Sequence, residues 1–293
     1  MSDITLPRGA SVATIRDILI QCARVLSPGG GGQREATDIV AGLLDVPRSW
    51  VAMNRDAPAA AGFQAAAMSA SRRLAAGVPI AYAVGRAAFR HLTLAVDERV
   101  LIPRPETEVL VDVVLDRCVE QSAVVADIGT GSGAIALSLA FEQSFGRVIA
   151  TDISMDALAV ARKNLDRLAP ALKSTVELRH GSVLAPLAGE KLDAIISNPP
   201  YISFTEAAEL PPGVRDWEPA VALMAAADGL SVTRQLVRTA PDYLHAGGLL
   251  AMEVDTRRAG VVAEMLLVDE RYREVEVLTD LTGRERFVAA RRV

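Results

Sequence analysis

The 293-residue sequence holds only two cysteines, Cys22 and Cys118, far apart and in no CxxC or Cys/His arrangement. Their scarcity excludes a disulfide framework and a zinc site, and no metal is expected. Apolar residues make up 51% of the chain, yet no uncharged apolar run approaches the ~20 residues that a membrane-spanning helix needs. The opening "MSDITLPRGA" has no basic stretch followed by an apolar one, so it does not read as a secretory leader, and the chain is expected in the cytoplasm. Positive charge is also short: 31 Lys and Arg face 36 Asp and Glu, a net −5, which argues against tight, sequence-independent binding to a phosphate backbone. Neither His180 nor His245 sits where a general base would be expected, and His91, Trp50 and Trp217 read as packing residues.

What is present is organised in two styles. Up to about residue 84 the apolar spacing is helical. In "SVATIRDILIQCARVL" Val12, Ile15, Leu19, Cys22 and Leu26 share a face, and in "REATDIVAGLLDV" Ala36, Ile39, Val40, Leu43 and Leu44 do the same. Between them "SPGGGGQ", residues 27–33, reads as a flexible turn, and an alanine-rich helix is expected from about Ala59 to Leu74. Residues 85–103 change period: Leu92, Leu94 and Val96 alternate before "DER", and Val100 and Ile102 resume, as in a β-hairpin linking two domains. "PRPETEVLVDVVLDRC" then places a proline and acids ahead of an apolar helical repeat, a helix start. Beyond Ala123 strands ("AVVADI", "RVIATD", "TVELR", "LDAIIS", "GLLAMEV") alternate with helices near 134–145, 154–168, 229–240 and 258–268. "REVEVLTD" and "RERFVAARR" follow as two last strands. Nearly continuous apolar strands alternating with helices predict an α/β domain over 104–293, its sheet mostly parallel and covered on both faces.

"DIGTGSGA", residues 127–134, lies between the first strand and first helix of that domain. Its glycines let the backbone bend sharply and approach a ligand, and the following helix aims its first amides at the same place. Asp152 ends the next strand, 21 positions after Gly131, where a carboxylate can accept hydrogen bonds from both hydroxyls of a ribose. Gly129, Gly131, Gly133 and Ala134 also satisfy the dinucleotide pattern, so a nicotinamide-dependent oxidoreductase competes. Asp127 tips the balance: a carboxylate there repels pyrophosphate, whereas S-adenosyl-L-methionine (SAM) brings a sulfonium and an ammonium and no phosphate. Asp127, Gly129, Thr130, Gly131, Ser132, Gly133 and Asp152 are therefore candidate cofactor residues.

"SNPPYI", residues 197–202, follows the apolar strand "LDAII". Pro199 pushes Asn198 into extended backbone, and the two prolines fix their own φ and remove two N–H donors, so the loop presents acceptors. The Asn198 side-chain carbonyl and the Pro199 backbone carbonyl can take both hydrogens of one planar NH₂ group, while Tyr201 stacks on its plane. Asn198, Pro199, Pro200 and Tyr201 are the candidate catalytic residues, Asn198 also bordering the cofactor. Their chemistry suits an amide or an exocyclic base amine, whose delocalised lone pair gains density when both hydrogens are donated.

These stretches, with "RRLAAGVPIAYAVG", "VLIPRPETE", "TDISMDALAVARKNL", "WEPAVAL" and "DLTGRERFVAARR", resemble the protein-(glutamine N5) methyltransferases that modify peptide chain release factors, over nearly the whole chain. The resemblance implies a Rossmann-like class I SAM-dependent methyltransferase domain with a mostly parallel seven-stranded sheet. It is preceded by a small helical bundle (1–84) that recognises the release factor and a β-hairpin linker (85–103). The implied reaction is methylation of the glutamine of the factor's Gly-Gly-Gln tip. Gly129 to Gly133 would hold the methionine part of SAM, Asp152 the ribose, and Asn198 to Tyr201 the substrate amide. Near the adenine, where family members often place an acid and an aromatic, this chain has Ser182 and Val183, and "EVD" (Glu253 to Asp255) stands where a glycine commonly follows a glutamate. Arg104 and Glu106 border the site or merely start a helix. The chain's own "GGQ", Gly31 to Gln33, is explained by the interhelical turn. A ribosomal-protein glutamine methyltransferase would carry "PRSP" rather than "PRPETE". A DNA adenine methyltransferase would need a basic target-recognition region that this sequence lacks.

Overall fold

A computed structural model describes residues 13–27, 32–225 and 228–293, and the chain divides after Arg86 into two compact units. Val12 and most of the glycine turn expected at 27–33, Gly31 included, lie outside the described residues.

The first unit is helical: α1 (Ile15–Leu26), α2 (Gln33–Leu44), α3 (Arg48–Met53), α4 (Phe63–Ala75) and α5 (Ile80–Val84). Thr14 starts α1 through a reciprocal cap, its hydroxyl accepting from Asp17 N at 3.2 Å while its own N–H donates to the Asp17 carboxylate at 2.9 Å. Ile15, Ile18 and Cys22 of α1 then pack with Ala36, Val40 and Ala41 of α2, Val51 of α3 and Ala67 of α4. The short α3 and α5 are helices that the periodicity did not reveal, because one and a half turns carry too few apolar repeats to register.

The second unit begins with a hairpin, β1 (Arg86–Phe89) and β2 (Leu92–Ala95). The expected alternation over Leu92 and Leu94 is strand, but Val100 and Ile102 are not. Arg90, with φ 51, makes the tight turn before β2 instead, and Asp97 closes the next turn by accepting from Arg99 N and, through its carbonyl, from Val100 N. A 3₁₀ turn (Pro105–Thr107) then leads into α6 (Glu108–Arg117).

Strands and helices alternate from there: β3 (Val124–Ile128), α7 (Ala134–Glu142), β4 (Arg147–Asp152), α8 (Met155–Leu168), β5 (Val176–His180) and β6 (Leu192–Ser197). After the short α9 (Pro212–Arg215) and α10 (Ala220–Leu223) come α11 (Ser231–Tyr243), β7 (Leu244–Glu253), α12 (Ala259–Leu267), β8 (Tyr272–Thr279) and β9 (Glu285–Arg292). The strands form one seven-stranded sheet in the order β5-β4-β3-β6-β7-β9-β8, with β9 alone antiparallel to its neighbours. This is the mostly parallel sheet that the alternation predicts.

Successive residues of the central strands serve opposite faces, as the two-residue period requires. Val125, Ala194, Ile196, Leu249 and Ala251 pack against α6 and α7, while Ala126, Ile195, Leu250 and Met252 pack against α11 and α12. Each fully buried Leu or Ile side chain contributes about 1.5–3 kcal/mol of apolar burial. The hairpin is fixed to this body by Asn164 of α8, which is wholly buried. Its carbonyl accepts from Ala95 N at 2.7 Å, and its NH₂ donates to Ala95 O at 3.0 Å and to Ser132 O at 2.9 Å. Asn164→Ala strands three backbone groups at once, so urea unfolding should show a loss of at least roughly 1–3 kcal/mol, the cost of an unmet buried group.

Candidate active site

In an open α/β sheet, ligands bind beyond the carboxyl ends of the strands where the strand order reverses. Here that point lies between β3 and β6, the strands that carry the glycine loop and the Asn-Pro-Pro-Tyr loop. The two motifs, their strand ends 69 residues apart in sequence, leave the sheet side by side, Ile128 pairing with Ser197. The Ser197 hydroxyl donates to Ile128 O at 2.8 Å and ties the two strand ends together.

Past Ile128 the chain turns through Gly129, Gly131 and Gly133 at φ 77, 57 and 85, a region that side chains with a Cβ resist. A Cβ at Gly129 or Gly131 would meet no atom within 4 Å, so glycine serves the bend here, and the space above is open. The loop is tightly held. Gly129 N and Thr130 N both donate to Thr151 O at 2.9 Å, Gly131 N donates to Asp152 Oδ2 at 2.9 Å, and the Thr130 hydroxyl donates to Asp127 Oδ2 at 2.6 Å. Asp127 is fully buried and also accepts from Ala136 N at 3.2 Å, occupying the N-terminus of α7 with its own negative charge. An anion such as a pyrophosphate would have to share that helix end with a carboxylate. The other oxygen, Oδ1, is buried without a hydrogen-bond partner, and burial pushes the Asp127 carboxyl up to about 7.

A cavity of about 330 Å³ opens above this loop, lined among others by Gly129, Gly131, Asp152, Ser182, Val183, Asn198, Pro199 and Pro200. Asp127, Thr130, Ser132 and Gly133 do not line it; they shape the loop from behind. Asp152 accepts from Gly131 N and, at 2.8 Å, from Ser154 N, and each oxygen keeps capacity for another donor. Burial pushes its pKa up, against the pull of the Ser154 and Gly131 amides. Val183 adopts φ 48, which for a β-branched residue stores strain of order 1–3 kcal/mol. That strain falls on the cavity wall, which Val183 lines beside Ser182.

On the other side of Asn198 lies a second cavity of about 380 Å³, lined by Arg104, Tyr201, Glu206, Asp255 and Arg257 among others. The two cavities share Leu101, Asn198 and Ala222, so Asn198 stands where they meet. Its Nδ2 donates to the Thr107 hydroxyl at 3.2 Å, and that hydroxyl donates to Glu253 Oε2 at 2.6 Å. Burial pushes Glu253 up to about 7, although the Thr107 hydrogen bond and Arg286 favour its charged form. Tyr201 is buried enough that its phenol is pushed well above its ordinary range. Beyond it, Ile202 N donates to Leu223 O at 2.9 Å and Ala225 N to Ile202 O at 2.8 Å, fastening the loop to the segment after α10.

Of the thirteen residues named from sequence, Gly129, Gly131, Asp152, Ser182, Val183, Asn198, Pro199 and Pro200 line the first cavity and Tyr201 the second, while Asp127, Thr130, Ser132 and Gly133 line neither.

 The sequence had left Arg104 and Glu106 open. Arg104 lines the second cavity and pairs with the buried Glu218 at 2.5 Å, whose other oxygen accepts from Ile102 N. Thr107, Glu218 and Glu253 were not singled out as site residues. The only signal for them was their place inside "PRPETE", "WEPAVAL" and "EVD", since their roles depend on elements that meet only in the fold.

A glycine loop and an acceptor loop at the switch point of a seven-stranded sheet with one antiparallel strand define a class I methyltransferase. Residues 105–209 match the methyltransferase small domain family, and residues 17–85 match the PrmC N-terminal domain family. The release factor glutamine methyltransferase of Moorella thermoacetica is 42% identical over 288 residues, 95% of this chain and 99% of that protein. The one from Gloeobacter violaceus is 43% identical over 218 residues, covering 74% of this chain and 76% of its own. Among solved structures, the hMettl16 catalytic domain in complex with MAT2A 3′UTR hairpin 1 superposes with a TM-score of 0.57 at 16% identity, over 78% of this chain and 80% of that one, a likeness of fold alone. The chain belongs to the release factor glutamine methyltransferase family.

The raised Asp127 carboxyl has a measurable consequence. A carboxyl whose folded pKa lies above its unfolded value holds the extra proton in the folded state, so stability is lost as pH rises from about 4 to about 7. Asp127→Asn cannot ionise and escapes that loss. Its melting temperature relative to the unmodified protein should therefore be higher at pH 8 than at pH 5, by roughly 2–4 °C for each kcal/mol of relief. Equal differences at both pH values in scanning calorimetry would show that burial does not raise this carboxyl.

Proposed function

We propose that this chain transfers the methyl group of SAM to the side-chain amide nitrogen (N5) of the glutamine in the Gly-Gly-Gln motif of peptide chain release factors. The observation that carries this reading is Asn198 standing where the two cavities meet, beside two prolines that lack N–H donors. The residues present fit the cofactor. Asp127 Oδ1 is a buried acceptor without a partner behind the glycine loop, where its charge favours a cationic over an anionic ligand, and Asp152 offers acceptor capacity for ribose hydroxyls at the wall. Ser182 and the strained Val183 would border the adenine. Bound there, SAM supplies an electrophilic methyl group on a sulfonium.

This chain's own residues hold and aim the nucleophile. The Asn198 carbonyl and the Pro199 carbonyl accept the two amide hydrogens, which fixes the NH₂ plane and raises electron density on nitrogen. Tyr201 supports the plane from the second cavity. Alignment of this kind can supply up to about 7–11 kcal/mol of a barrier by holding the reacting atoms in a near-attack geometry. The amide loses its proton only after nitrogen gains the new bond, so no side chain has to act first as a strong base.

The deciding experiment incubates the protein with methyl-labelled SAM and, separately, purified release factors, ribosomes and DNA, followed by peptide mass spectrometry. Label on the glutamine of a release factor is expected; label confined to a ribosomal protein or to adenine would overturn the substrate assignment. Asn198→Ala should bind SAM nearly as well as the unmodified protein while single-turnover transfer falls roughly 10²-fold or more, the scale of a misplaced reacting group. We assign substrate recognition to the helical segment 1–84, the hairpin segment 85–103 serving as linker and 104–293 as the catalytic domain. Removing residues 1–84 should then raise KM for the intact factor and leave the SAM Kd unchanged; an unchanged KM would remove that role.

A further inference from the structure

An asparagine amide has two ends of nearly equal shape and opposite function. Its carbonyl can accept from a substrate NH₂, whereas its own NH₂ would meet that group donor to donor. Which end faces the cavities is decided by what lies behind Asn198. There, Nδ2 donates to the Thr107 hydroxyl at 3.2 Å, and Thr107 donates its single hydrogen to Glu253 Oε2 at 2.6 Å. A carboxylate only accepts, so that hydrogen is committed to Glu253 and the hydroxyl has only lone pairs left for Asn198. Facing lone pairs, Asn198 must turn its NH₂ toward Thr107 and leave its carbonyl free.

We propose that Thr107 and Glu253 are positioning residues that lock the Asn198 carbonyl toward the substrate amide, an inference that rests on the transfer reaction proposed above. Thr107 comes from the turn ahead of α6, Glu253 from the end of β7 and Asn198 from the loop after β6, so three separate elements converge on one orientation. Thr107 is 5% exposed and Glu253 1%, which keeps water from substituting for either link. Tyr201 also favours the charged form of Glu253, so one buried acid is linked to both polar side chains of the Asn-Pro-Pro-Tyr loop.

The lock depends on the charge of Glu253. Arg286 of β9, Thr107 and Tyr201 favour the carboxylate, while burial and Glu106 oppose it and push the group up to about 7. Below that value the protonated acid can donate to Thr107, freeing the hydroxyl hydrogen for Asn198 and drawing the carbonyl back. Transfer should thus decline as pH falls through about 7.

The test compares Thr107→Val, which keeps the shape and removes the hydroxyl, with Thr107→Ser, which keeps the hydroxyl. At saturating SAM, single-turnover transfer by Thr107→Val should fall about 10–100-fold with a SAM Kd within about twofold of the unmodified protein, while Thr107→Ser recovers most of the rate. The Val variant should lose the decline near pH 7, and in an Asn198→Ala background it should add no further loss. Unimpaired transfer by Thr107→Val, equal impairment by Ser and Val, an unchanged pH profile or an additive double variant each overturns the proposal. The lock is read independently of any substrate by NMR exchange of the Asn198 side-chain NH₂ in the cofactor-free protein. Slow exchange that becomes fast in Thr107→Val is expected, and fast exchange already in the unmodified protein overturns the lock. Absence of transfer to any release factor with slow exchange intact would instead strike the functional reading.

Discussion

A parallel sheet whose order reverses must part its chain on either side of two neighbouring strands, and the backbone leaving those strands has no ladder partner left. Between β3 and β6 this constraint opens the crevice, and each loop that leaves it meets the loss of pairing differently. The glycine loop folds back on the end of β4, giving its amides to Thr151 and Asp152. The Asn-Pro-Pro-Tyr loop has fewer amides to satisfy, because its prolines carry none. One side of the crevice is therefore a held backbone and the other a loop short of backbone donors. Asn164 ties the hairpin to the first of these sides, its NH₂ donating to both Ala95 O and Ser132 O.

Buried acids are the second theme. Asp127 and Glu253 both sit in surroundings that disfavour their charge, and both hold it or lose it near neutrality. Burying such groups weakens a fold unless donors surround them. Asp127 is met by Thr130 and Ala136 of the adjoining loop and helix, and Glu253 by Thr107 from the turn before α6. The stability lost to desolvation is coupled to orientation, since moving either carboxylate would disturb a loop whose shape carries the chemistry.

Much of this was legible in sequence. The alternation of strands and helices, the glycine loop and the acceptor loop all depend on local rules of backbone geometry, and the seven-stranded sheet follows from them. Legibility failed where structure depends on distant partners. Val100 and Ile102 continue an alternating pattern, yet the side chain of Asp97 captures the backbone there and turns it away from a strand. Helices as short as α3 and α5 leave no period to read. Thr107 looked like part of a helix start, and only the meeting of α6, β6 and β7 places it behind Asn198. The strain at Val183 was equally invisible, since no composition rule assigns a β-branched residue to left-handed backbone.

The two prolines beside Asn198 have a last consequence, for fidelity rather than rate. In the reaction proposed above, two successive residues without an N–H favour an NH₂ group, whereas a carboxylate would bring only lone pairs to the carbonyls of Asn198 and Pro199 and meet repulsion. A glutamine that had aged to glutamate would then be turned away by the same atoms proposed to accept the intact amide. Under that proposal, discrimination between side chains of the same length and almost the same outline would rest on one side-chain carbonyl and one backbone carbonyl, the same groups that orient the amide.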